Sequence, residues 1–80
     1  MSEVLRLRGR LAELKQQRKR HEIAMRSHVE SIRQRLDPYA PPQEIDTEGA
    51  AELAVQLAAE QIELKECLAL IASIKRELGE

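Results

Sequence analysis

One interruption constrains this chain more than anything else in it. Residues 37–46, Asp37-Pro38-Tyr39-Ala40-Pro41-Pro42-Gln43-Glu44-Ile45-Asp46, hold all three prolines and the one aromatic residue. Proline lacks a backbone donor, and its ring collides with the preceding helical turn. It also biases the residue before it toward extended backbone. Prolines at 38, 41 and 42 therefore forbid one continuous helix. Both flanks have helical hydrophobic spacing and no proline. The 80 residues are expected to form one domain: helix 1 over about 3–36, a Pro-rich turn at 37–46, and helix 2 over about 47–78.

In the first flank Val4, Leu7, Leu11, Leu14, Arg18, His21, Met25, His28 and Ile32 alternate in steps of three and four. Such steps return to one face of a helix. Toward the turn the apolar set Met25, Val29, Ile32 and Leu36 departs from that stripe, which predicts a stutter in the heptad phase. In the second flank Ala50, Leu53, Leu57, Glu60, Leu64, Cys67, Ile71, Ile74 and Leu78 repeat the pattern. Asp46 or Thr47 suits its N-cap, with Glu48 in the first turn, and Gly79 suits its stop. The short linker makes the helices antiparallel. The seam is then expected to be built from Leu7, Leu11, Leu14, Met25, Ile32, Leu53, Leu57, Leu64, Ile71 and Ile74. With Leu36 facing Thr47 or Glu48, Arg18 and His21 fall near Glu63 and Glu66, and Tyr39 or Ile45 covers the end of the bundle.

Charge supports the same pairing. Residues 1–37 carry ten Lys or Arg against five acids, a balance of +5, and residues 38–80 carry three bases against nine acids, a balance of −6. Helices of opposite sign attract side by side, and two copies of either alone repel.

One hairpin leaves apolar surface over. Helix 2 carries a second set, with Val55, Ala58, Ile62 and Ala69 on its far side and Ala54, Leu68 and Leu70 on its flanks. A helix with one buried face has no use for these residues. Small scaffolds of this length usually need disulfides, a metal or association. A lone cysteine, Cys67, excludes an internal disulfide and gives no zinc signature. The fold expected is thus an all-α, antiparallel, coiled-coil-like two-helix hairpin that assembles into a four-helix bundle as a homodimer. Val55, Ile62 and Leu70 are the expected interface.

Chemistry-bearing patterns are sparse. His21 and His28 lie seven apart, about 10.5 Å along a helix, too far to share one ion. Their placement in a partly buried polar layer would permit pH sensing. Cys67 occupies a core-type position. Nearly all the carboxylates sit at surface-type positions, and there is no glycine-rich phosphate loop. No catalytic residue, cofactor or metal ligand is assigned, and an enzyme is not expected. Arg18, Lys19 and Arg20, with Arg26 and Arg33 at heptad spacing from Lys19, form a basic face that suits phosphates. No apolar run approaches the roughly 20 residues a bilayer demands. Without a secretory pattern at Met1-Ser2-Glu3, the compartment expected is the cytoplasm, with no membrane contact.

Three segments carry a likeness: Leu-Arg-Gly-Arg-Leu-Ala-Glu-Leu-Lys at 7–15, Ile32-Arg33 with Leu36-Asp37-Pro38, and Ile74-Lys75-Arg76-Glu77-Leu78-Gly79. Together they resemble small helical-hairpin proteins encoded in prophage regions. Leu/Glu/Lys/Arg helices of this kind also occur in the helical arm of seryl-tRNA synthetases. The prophage resemblance implies a protein that acts by binding a host protein. The function expected is a protein-interaction and oligomerisation module whose partners are itself and a further protein. The alternative is a nucleic-acid-associated accessory protein using the basic face of helix 1.

Overall fold

A computed structural model describes residues 2–80. It is all-helical: α1 spans Glu3–Arg35, a single 3-10 turn spans Pro42–Glu44, and α2 spans Thr47–Glu77. The two long helices run antiparallel. Leu14 meets Cys67, His21 meets Glu60, and Arg35 meets Asp46. The result is a rod of 61 × 18 × 14 Å. Its radius of gyration is 18.1 Å, where a compact chain of this length would have about 12 Å.

Each helix end has a local cause. Ser2 caps α1, its Oγ accepting from the Leu5 backbone N–H at 3.1 Å. Ahead of Pro38 the helix stops, and Asp37 Oδ1 accepts from the Tyr39 N–H at 3.0 Å in an Asx turn. The prolines then carry the chain through the 3-10 turn, where Glu44 N–H donates to Pro41 O at 2.9 Å. Asp46 caps α2, accepting from the Gly49 N–H at 2.9 Å. At the far end Gly79 takes φ 78°, which a residue with a side chain adopts rarely. Glu80 N–H then reaches Lys75 O at 2.8 Å and Gly79 N–H reaches Arg76 O at 3.1 Å, the Schellman pairing.

The buried core is small and lies mostly toward the chain termini. Leu11, Leu14, Cys67 and Ile71 form one cluster, with Ile74 and Leu78 packed against it. Leu7 and Ala50 are the other buried apolar residues among those described. Of the seam residues expected from sequence, Leu7, Leu11, Leu14 and Ile71 are buried. Met25, Ile32, Leu53, Leu57, Leu64 and Ile74 are half-buried. A seam between only two helices leaves one side of each such residue open to water.

Three details differ from the sequence reading. The expected stutter is absent: Val29 and Leu36 are exposed, while His28 stays in the seam and Arg35 crosses to Asp46. Arg35 reaches Asp46 across the turn while Leu36 is open to solvent, so the heptad phase runs unchanged to the turn. The register lies about one helical turn from the expected one, so His21 meets Glu60 and Glu63 rather than Glu63 and Glu66. Arg18 instead lies 3.6 Å from Glu22 on its own helix. Tyr39 covers nothing, being 93% exposed, and Ile45 is the half-buried residue of the turn.

Candidate functional site

Midway along the rod the antiparallel register brings one polar group together. His21 projects from α1, and Glu60 and Glu63, one turn apart, project from α2. The His21 Nδ1 lies 2.5 Å from Glu60 Oε1 and 3.7 Å from Glu63 Oε2. His21 and Glu60 are largely screened from water, whereas Glu63 is exposed. The three donor atoms fall within 4.8 Å of one another, so among the described residues this donor set can approach a divalent cation together. The short His21–Glu60 contact makes the pair a hydrogen-bonded unit as it stands. Sequence spacing missed this group because it considered donors on one helix at a time. The antiparallel pairing adds the carboxylates from the other side.

His28, one heptad on, is half-buried, and its Nδ1 is buried with no hydrogen-bond partner. An imidazole nitrogen in that state weakens the seam locally. Cys67 is tied into the core, its Sγ donating to Leu14 O at 3.2 Å. His21 and Cys67 border one shallow depression together with Leu14, Gln17, Glu63, Glu66 and Leu70. The thiol faces a backbone carbonyl and the imidazole faces a carboxylate, so neither activates the other.

At the turn, Arg35 pairs with Asp46, which also accepts from the Gly49 N–H. That backbone bond first, and the Arg35 guanidinium second, hold the Asp46 carboxyl below its ordinary value of 3.8. Gly49 leaves room for this closure. A Cβ there would collide with the Asp46 carboxylate and lie 2.8 Å from Arg35 Nη1. At the other end Arg6 bonds Glu3 at 2.5 Å, which lowers the Glu3 carboxyl and raises the Arg6 guanidinium.

The basic residues of α1 separate into two kinds. Arg18 pairs with Glu22, and Arg33 lies 3.9 Å from Glu30. Lys19, Arg20 and Arg26 are exposed and form no ion pair among the described residues.

The largest unspent feature is apolar. Val55 is 70% exposed and Ile62 59%, with Leu70 and Leu68 also open to solvent. Both Val55 and Ile62 lie two residues before a seam leucine, Leu57 and Leu64. That offset is about 200° around a helix, so they point away from α1. A second apolar edge, Met25 and Val29 against Leu64, lines a groove flanked by Glu22, Arg26 and Glu30. No helix among the described residues is long and apolar enough to cross a membrane.

Comparison with protein-family models, with curated proteins and with solved structures finds no match.

Proposed function

We propose that this chain is a non-enzymatic, cytoplasmic protein-interaction module that works as a homodimer, two hairpins associating into a four-helix assembly. The observation that carries this reading is the exposure of Val55 and Ile62 on the side of α2 turned away from α1. Surface area supports it. The chain exposes 6185 Å², about 1,300 Å² more than the roughly 4,900 Å² expected of a compact monomer of its mass. A standard interface removes about 800 Å² from each partner. Association through the apolar side of α2 therefore brings the exposed area toward the ordinary range.

Replacing Ile62 with Glu places a charge in the middle of that face. The variant is expected to keep the helical circular-dichroism spectrum at high concentration and to sediment as a monomer where the parent does not. An unchanged mass for I62E contradicts the assignment. The likeness to prophage-encoded hairpins adds a second, host-derived protein as partner. Pull-down from the native host with mass spectrometry, repeated with I62E, separates that partner from self-association.

The exposure of Lys19, Arg20 and Arg26 without ion pairs favours a second reading, non-specific contact of α1 with nucleic-acid phosphates. Fluorescence anisotropy in low salt tests it. Binding that weakens with salt and with K19E/R26E supports it, and a flat titration to about 100 μM, well above the non-specific range, removes it.

A further inference from the structure

We infer that the two copies meet α2 to α2 in antiparallel fashion, with Ile62 of each at the twofold axis, so that the α2 helices form the inner pair and the α1 helices the outer pair. This rests on the homodimer reading above and specifies its geometry.

The outward side of α2 carries its own heptad stripe. Glu48, Ala51, Val55, Ala58, Ile62, Lys65, Ala69, Ala72 and Arg76 follow steps of three and four without a break, directly opposite the seam stripe. Every one of them is exposed. Four of the nine are alanines, at 51, 58, 69 and 72, and they let a second helix approach closely. Only a helix of matching length and shape covers such a stripe, and a second α2 is one.

Charge fixes the direction. The acids Glu48 and Glu52 lie at the start of the stripe and Arg76 at its end. Ile62 lies midway between Glu48 and Arg76, and midway between Val55 and Ala69. An antiparallel pair centred on Ile62 sets Glu48 against Arg76 of the partner subunit and Val55 against Ala69 of the partner subunit. Lys65 then falls opposite Ala58 and Ala59, whose size leaves room for its stem. A parallel pair sets Glu48 on Glu48 and Arg76 on Arg76, like charges at both ends. The competing inner pair, α1 to α1, would bring together the exposed Lys19, Arg26 and Arg33 stripes, which repel, whereas α2, although acidic as a whole, carries on its outward stripe one acid, Glu48, against two bases, Lys65 and Arg76.

Disulfide trapping tests the geometry in the full chain. Cys67 is first replaced by Ser, and V55C and A69C are introduced singly, one carrying a tag so that mixed dimers separate on a gel. The two proteins are mixed, allowed to exchange and oxidised. A disulfide needs Cβ atoms within about 4.5 Å. In the antiparallel pair two Val55 positions lie about 21 Å apart along the axis. The mixed 55–69 disulfide is therefore expected to exceed either self-disulfide by about tenfold. Sedimentation of the reduced variants is measured alongside. A dimer in which V55C mainly links to V55C overturns the antiparallel arrangement. A dimer that yields no disulfide in any mixture places the contact elsewhere and overturns the α2 pairing. Either result leaves the homodimer reading standing, whereas a monomer overturns both. If C67S disturbs folding by circular dichroism, the same pairs made with Cys67 retained give the same readout, because that thiol is buried.

Discussion

His21 and Glu60 show most plainly how one pair of residues shapes this hairpin. Both occupy seam positions where an apolar residue would pack better, and they satisfy each other across the helices. A half-buried ionic or hydrogen-bonded pair contributes little net stability but penalises any register that separates its members. Replacing Glu60 alone with Leu leaves His21 short of its partner and is expected to lower stability by about 1 kcal/mol. Replacing both, H21L with E60L, is expected to raise stability above the parent by about 1 kcal/mol or more, as apolar replacements of buried pairs do. Urea denaturation of the parent, the single and the double variant checks the two signs. A double variant less stable than the parent would show that the pair stabilises the fold outright. The pairing was only partly legible in the sequence. Opposite charge on the two halves identified polar residues that meet, but the partner depended on a register about one helical turn from that expected. Hydrophobic spacing is periodic, so it scores neighbouring registers alike, and the turn geometry and cross-helix polar contacts that separate them are not carried by spacing.

Among the elements, the two glycines inside helices make opposite predictions. Gly9 lies within α1 with nothing within 4 Å of where a Cβ would sit. Gly9→Ala is expected to stabilise the protein by about 0.5–1 kcal/mol through helix propensity. Gly49→Ala is expected to lower the melting temperature despite the same propensity gain, because its methyl group displaces the Asp46 cap. Thermal melts of the two variants decide, and a stabilised G49A would show that the cap is dispensable. The cap also carries a pH signature. The Asp46 carboxyl is held below its ordinary value of 3.8, so the ionised form is the one that stabilises the fold. Its contribution is complete above that value and is lost as the pH falls through the lower folded-state value. The stability gap between the parent and Asp46→Ala is therefore expected to be constant near neutrality and to close on the acid side of pH 3.8. Denaturation midpoints across an acid series read this directly, and a gap that persists in strong acid contradicts it. The elements themselves were largely legible. Three prolines ended one helix, Asp46 began the next, and Gly79 ended it. Apolar identity alone predicts a stutter near Val29 and Leu36, and the structure shows none. Both Arg35 and Leu36 are exposed, and of the two only Arg35 reaches across to α2, at Asp46.

For the whole molecule, the difficulty is area. A rod 61 Å long with its buried core gathered toward the termini leaves ten large hydrophobic residues at least 43% exposed among those described. Exposed apolar surface on that scale marks an interaction site. The second stripe of α2 was visible in the sequence as apolar residues with no place in the seam. Its position opposite the seam follows once α1 is seen to occupy the other side. Sedimentation equilibrium of the unmodified protein at micromolar concentration is the most direct measurement. A mass near 18 kDa, twice the 9.1 kDa of one chain, is expected. A single species at 9.1 kDa that still melts cooperatively would show that the hairpin stands alone and would contradict the account.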